Sequence, residues 1–161
     1  MNNCMKGLKK CFKDGFTLIE VLVVMGILAL LATVVLVAIN PARQFAQSRN
    51  TQRTSNVTAI LNAIGERAVD NKGIFEDGTG CTSALPATTT PINSAIGGYN
   101  IYSCIVPVYI ALLPMDPSTG IFTSETNYDS GYTVSRDAVT GRVTVSAPQT
   151  ELGVPTISIS R

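Results

Sequence analysis

The sequence contains no histidine and no tryptophan, and only 14% of its 161 residues are charged. Without histidine there is no His-based catalytic triad, no imidazole general base and no histidine ligand for zinc. No other nucleophile–base combination is visible either, so we expect neither an enzyme active site nor a cofactor. The formal net charge of +1 lacks the basic excess that is typical of nucleic-acid-binding domains.

The chain has instead one long apolar segment near its N-terminus. Residues 16–39 form an apolar run that is broken only by Thr17, Glu20, Gly26 and Thr33. As a helix this run would be about 36 Å long, and the hydrocarbon core of a membrane is about 30 Å thick. The alternative is a buried helix of a soluble protein, but a run this long and this apolar favours a single membrane span. One span also excludes a polytopic transporter.

The residues before the run indicate the orientation of the span. Four lysines within residues 6–13 precede it, against the single acid Asp14. Positive charge beside a first span keeps the N-terminus in the cytoplasm, which places residues 40–161 outside the cytoplasmic membrane. A cleaved secretory signal would have an apolar region of about 7–15 residues and a small-x-small site. This run is longer, and residues 38–40 make a poor cleavage site, so we expect a single-pass membrane precursor.

Glu20 lies inside the apolar run, four residues after Phe16. A carboxylate in such a span is costly and needs a partner. If the chain began at Phe16, the free α-amine would be a suitable partner, within one molecule or between neighbouring molecules of an assembly. The alternative is a carboxylate that extends to the membrane interface.

The segment Lys13–Val21 (KDGFTLIEV), followed by apolar residues through Val34, resembles the class III leader of type IV pilins and type II secretion pseudopilins. The resemblance implies that residues 1–15 are a leader, cleaved after Gly15 by a prepilin peptidase that also N-methylates Phe16. It also implies that Glu20 pairs with the Phe16 amine of an adjacent subunit and fixes the subunit register. Asp14 departs from the Lys or Arg that is usual at that position.

The same resemblance implies the partners and the location of the protein. The subunits would form a helical homo-oligomer, built by an inner-membrane assembly platform. The precursor would lie in the cytoplasmic membrane with its N-terminus inside, and the assembled filament would be extracellular.

The remaining sequence predicts an α+β, pilin-like fold. The hydrophobic helix, residues 16–40, continues into an amphipathic half, residues 41–72, because apolar residues recur at three- and four-residue spacings up to Ala68. We expect one helix about 80 Å long, kinked near Asn40–Pro41. Its arginines at positions 43, 49 and 53 are predicted on a solvated face or facing acids of neighbouring subunits, with DNA binding as the alternative.

Residues 73–161 are predicted to be loop-rich and to end in a small antiparallel sheet. Two alternating segments, residues 131–135 and 142–146, flank a hairpin loop at residues 137–141, and residues 156–160 add an edge strand. Proline at position 107 suggests a short helix over residues 107–112. One apolar face of the sheet, with Tyr132, Val134, Val143 and Val145, would cover the helix.

Cys81 and Cys104 lie in the part predicted outside the cytoplasm, where disulfides persist. We expect one bridge between them, with two free thiols or a metal pair as the alternatives, although two cysteines alone make a poor zinc site. The LPMDP segment ending at Pro117 resembles a segment of major pseudopilins in which the following loop often binds calcium. Asp116, Ser118 and Asp129 are therefore weak calcium candidates, although turn formation explains these residues as well.

These patterns favour a structural filament subunit of the type IV pilus kind. The alternatives are a major-type pseudopilin of a type II secretion or DNA-uptake filament, and a membrane-anchored extracytoplasmic binding module that does not polymerise. The sequence alone leaves these open.

Overall fold

The structure is a computed structural model, and it describes residues 15–76, 80–81 and 83–161. Most of the predicted leader, residues 1–14, lies outside the described residues. The chain divides into two compact units, Met1–Pro41 and Ala42–Arg161. We call the second unit the head.

Helix α1, Leu18–Ile39, contains 22 residues. Thr17 caps its N-terminus because the Thr17 hydroxyl accepts a hydrogen bond from the Glu20 backbone N–H, at 3.3 Å. The helix ends at Asn40, whose backbone is left-handed with φ 36°. Among the described residues, α1 is the one helix long and apolar enough to cross a membrane, judged by length and composition.

Helix α2, Pro41–Asp70, begins directly after Asn40. The prediction of one continuous helix over residues 16–72 is therefore wrong at Asn40, and this interruption lies where a kink was expected. The physical reason is Pro41, which lacks a backbone N–H and disfavours the helical conformation of the residue before it. At the other end, Gly73 has φ 93° and its N–H donates to the Ala68 carbonyl oxygen, as in a glycine C-cap.

Within the described residues, the head contains an antiparallel sheet of five strands and one helix besides α2. The elements are β1 Thr90–Asn93, α3 Tyr102–Ile105, β2 Ile121–Ser124, β3 Asn127–Arg136, β4 Val143–Ala147 and β5 Ile157–Ser160. The strands pair in the order β1-β3-β4-β5, and β2 also pairs with β3. The predicted α+β class is confirmed, but β1 and β2 were not predicted because each is only four residues long and lies in a loop-like sequence.

The register of the sheet places one apolar face towards the core. Along β3 the side chains of Tyr128, Ser130, Tyr132 and Val134 are buried and alternate with more exposed residues. Val134 lies opposite Val145 of β4, which is also buried. The core of the head joins this face to the apolar stripe of α2, which contains Val57, Ile60, Leu61 and Ile64.

The prediction of a short helix over residues 107–112 is wrong. The helix is α3, which lies earlier in the chain, and turns and a bend follow it. Pro107 was read as a helix start, but here the residue before it, Val106, is extended and ends α3.

A disulfide joins Cys81 to Cys104 of α3, with an S–S distance of 2.08 Å. It connects the segment that follows α2 to the small helix before β2. Both cysteines are buried and belong to the core of the head.

Candidate functional site

The surface of α1 is apolar on every side. None of its residues is buried, and its large apolar side chains range from 47% exposed at Val21 to 84% exposed at Leu18. A surface of this kind is stable only when lipid or other protein covers it.

Phe16 and Glu20 lie on the same side of the N-terminal end of α1. Both line one shallow depression, together with Val21, Val24, Met25 and Leu28. Phe16 precedes the helix and is 83% exposed, while Glu20 is in the first turn, where the helix dipole favours a negative charge. Among the described residues that line this depression, Glu20 is the charged one, and it lies beside the predicted new N-terminus.

A family model described as the prokaryotic N-terminal methylation motif matches residues 12–36. The chain carries the type IV pilin and pseudopilin signature. The match includes the Gly15–Phe16 junction, Glu20 and most of α1, so the resemblance of this segment is confirmed. The match rests on the N-terminal segment alone, and the head lies outside it. Comparisons with curated proteins and with solved structures give no significant match.

The head of the pilin-like chain contains a buried ion pair between α2 and the loop before β2. The Arg53 side chain is completely buried, and its Nε donates to Asp116 Oδ2 at 2.7 Å while Nη2 donates to Oδ1 at 3.2 Å. Nη2 also donates to the Ser118 hydroxyl at 2.7 Å, and Nη1 donates to Asn50 Oδ1 at 3.0 Å. The expectation that this arginine lies on a solvated face is wrong.

A second carboxylate extends this ion pair. Glu151, in the loop before β5, accepts from Arg53 Nη1 at 3.1 Å and from Arg49 Nε at 2.6 Å. Asn50 Nδ2 donates to the Glu151 backbone carbonyl oxygen, and Asn50 Oδ1 accepts a hydrogen bond from the Glu151 backbone N–H. We call Arg49, Arg53, Asp116 and Glu151 the arginine cluster. The cluster connects two loops to α2. It also pairs Arg49 and Arg53, two of the arginines considered for DNA binding, with carboxylates of the same chain.

The charges of the arginine cluster shift the pKa values of its members. Burial by itself would raise the pKa of Asp116, but hydrogen bonds from Arg53, Ser118 and Thr119 outweigh it and hold the pKa well below its usual range. Hydrogen bonding from Arg49, assisted by Arg53, lowers the pKa of Glu151 to about 2. Both carboxylates are therefore ionised at neutral pH.

The three calcium candidates each make hydrogen bonds within the chain. Asp116 and Ser118 are brought together, but both are bonded to the Arg53 guanidinium. Asp129 Oδ1 accepts the backbone N–H of Gly131 at 3.0 Å, as in a turn. Among the residues that the structure describes, no group of three or more His, Cys, Asp or Glu side chains could hold a metal ion.

The sequence contains a signal for the burial of Arg53. Arg53 precedes Val57 by four residues, Ile60 by seven and Ile64 by eleven, so it lies on the same stripe of α2 as the core residues. A charged residue on a buried stripe predicts a buried partner. Glu151 had no comparable signal, because its loop has no periodic pattern.

Proposed function

We propose that the mature chain is the structural subunit of a type IV pilus-like helical filament. The observation that carries the proposal is α1, a fully exposed apolar helix with one carboxylate a single turn from Phe16. A subunit with this helix can be stored in the membrane and then packed against identical helices in a filament core. The apolar surface is covered in both environments.

Processing would create the partner of Glu20. Cleavage after Gly15 by a prepilin peptidase exposes the α-amine of Phe16, and N-methylation by the same enzyme retains its positive charge. An ammonium and a carboxylate in an apolar filament core form a strong, charge-assisted hydrogen bond. The chemistry is performed on the chain by the peptidase, and the chain itself acts as a building block rather than as an enzyme.

Pairing between neighbouring subunits would set the register of the filament. The Phe16 amine and Glu20 differ in position on the chain, so a contact between them in adjacent copies is heterologous. A repeated heterologous contact that does not close generates an open helix. The resulting homo-oligomer would be assembled by an inner-membrane platform from precursors with their N-termini in the cytoplasm, and the filament would be extracellular.

The proposal is tested by replacing Glu20 in the full precursor, produced in cells with a prepilin peptidase and an assembly platform. The Glu20→Gln variant keeps the size of the side chain and removes its charge. Loss of a charge-assisted hydrogen bond costs about 1.5–3 kcal/mol, so we expect the sheared filament fraction to fall by about tenfold or more. The matched control is Glu125→Gln, an exposed carboxylate of the head.

Mass spectrometry of the N-terminal peptide separates processing from assembly. Wild type and both variants should begin at N-methylated Phe16. A normal filament yield from Glu20→Gln would refute the register pairing. Chains that retain residues 1–15 in the membrane would refute the processing step, and fully processed wild-type chains that never leave the membrane would favour an anchored module that does not polymerise.

A further inference from the structure

A cavity of about 190 Å³ lies in the head between α2 and the sheet. Its floor is apolar and is formed by buried core side chains. Its mouth is lined by small residues of α2 and of the loops, which are more exposed than the floor residues. The floor residues are Leu61, Ile64, Phe75 and Leu85, and the small residues are Gly65, Ala68, Gly73 and Gly141.

Two arginines lie in one row of the sheet beside this cavity. Arg136 of β3 lies opposite Val143 of β4, and Val143 exchanges both backbone hydrogen bonds with Arg161. Paired residues of antiparallel strands share a face. Alternation from Tyr132 and Val134 places this row on the inward face, where the core would otherwise continue.

The described charged residues that line the cavity are both cationic. Arg136 and Arg161 are the two charged residues among the described residues that line it, and no carboxylate side chain does. Arg161 Nη1 donates to Asn62 Oδ1 at 2.8 Å. Within the described part of the chain, the half-buried Arg136 guanidinium has no hydrogen bond or ion pair, and one of its nitrogens lies 4.0 Å from the position of a Cβ at Gly141.

From this geometry we infer that the cavity binds a small organic carboxylate with an aromatic or branched apolar end. An apolar cavity of about 150 Å³ is large enough to take benzene, so this cavity accommodates a ring. The ring would lie on the apolar floor. The carboxylate would lie at the mouth, where Arg136 offers unpaired N–H donors in a geometry that suits two oxygens. This inference does not rest on the proposed function.

The probe is 4-fluorobenzoate, titrated against the full chain in detergent micelles and followed by ¹⁹F NMR. For a ligand of this size with one ion pair we expect saturable binding with a Kd of about 1 mM or tighter. The neutral analogue 4-fluorobenzamide has the same ring and serves as a matched probe. It should bind more weakly, because it lacks the charge that Arg136 recognises.

Two variants test the floor and the mouth separately. Gly65 lies in a helix, and a Cβ there meets no atom within 4 Å, so Gly65→Leu can fill the cavity without strain and with better helix propensity. It should abolish binding of both probes. Arg136→Gln should weaken 4-fluorobenzoate about tenfold and leave 4-fluorobenzamide unchanged. Arg142→Gln, at an exposed arginine of the same hairpin, should change neither.

Circular dichroism checks that every variant is folded. Absence of saturable 4-fluorobenzoate binding up to about 20 mM, well above the expected Kd, would overturn the inference. So would unchanged binding by folded Gly65→Leu, because the probe would then be in the micelle or elsewhere on the chain. Equal loss of both probes in Arg136→Gln would overturn the role of the charge.

Discussion

Arg53 of α2 and Asp116 of the loop before β2 form a bidentate ion pair in which both side chains are completely buried. The two residues are 63 positions apart in the chain. A charge pair at this depth is stable because each of its polar atoms is bonded, with Ser118, Asn50 and Glu151 completing the set. Removal of one partner is therefore costly, because it leaves the other charge buried and unpaired.

Substitution of one partner should therefore destabilise the head strongly. We expect Arg53→Met or Asp116→Asn to lower the free energy of unfolding by about 3–5 kcal/mol. The measurement is chemical denaturation of the full chain in detergent, followed by circular dichroism. Arg142→Met, at an exposed arginine, is the matched control and should change stability by less than about 0.5 kcal/mol. A loss below about 1 kcal/mol in Asp116→Asn would contradict the buried pairing.

The same cluster predicts how stability depends on pH. The folded-state pKa of Glu151 is about 2, against an ordinary value of 4.5, because hydrogen bonds from Arg49 and Arg53 favour the ionised form. The pKa of Asp116 is lowered as well. The unfolded chain therefore binds more protons in this range, and stability falls with falling pH. We expect the denaturation midpoint to be constant above about pH 5.5 and to decrease from there to about pH 2.

The variant Glu151→Gln measures how much of this pH dependence of stability comes from Glu151. The variant should have a lower midpoint at pH 7 and a shallower decrease between pH 5 and pH 2, because one of the two shifted carboxylates of the arginine cluster is removed. Glu125→Gln, at a carboxylate in the turn between β2 and β3, should leave the slope unchanged. Parallel pH profiles for wild type and Glu151→Gln would show that Glu151 is not engaged by the arginines in solution.

Much of the architecture could be predicted because it rests on local signals. The apolar run, the stripe from Val57 to Ile64 and the alternation in β3 and β4 each have a period that identifies an element. The location of Glu20 in the first turn of α1 could be predicted because Glu20 belongs to a short, contiguous motif. The position of Arg53 on the stripe of α2 indicates a buried partner, but the partners themselves could not be predicted, because the members of the arginine cluster come from three separate parts of the chain. The row of Arg136, Val143 and Arg161 also depends on strand register, which the sequence does not fix.

The disulfide should contribute to stability without being required for processing. Closure of the loop between Cys81 and Cys104, a separation of 23 residues, restricts the unfolded chain by about 3 kcal/mol. The variant Cys81→Ser/Cys104→Ser should lose about that free energy of unfolding but still be cleaved after Gly15. The control is Cys4→Ser/Cys11→Ser, in the predicted leader. Equal stability of the two double variants would indicate that the head cysteines are reduced in the purified protein.

Two glycines of the head share a left-handed backbone but differ in their surroundings, which makes them a matched pair. Gly131 of β3 has φ 76°, and a Cβ there would lie 2.6 Å from the Cβ of Asp116. Gly97 has φ 90°, and a Cβ there meets no atom within 4 Å. Both Gly→Ala variants incur the backbone cost of about 1–2 kcal/mol. Only Gly131→Ala also forces the Asp116 loop away from β3, which adds about 1–3 kcal/mol.

Denaturation midpoints of the two alanine variants measure this difference directly, because the backbone term cancels between them. We expect Gly131→Ala to be the less stable variant and to have a weaker pH dependence below pH 5, since displacement of Asp116 disturbs its ion pair with Arg53. Equal stability of the two variants would mean that the loop bearing Asp116 can move away from β3 at no cost. The close contact between Gly131 and Asp116 would then not be what holds Asp116 beside Arg53.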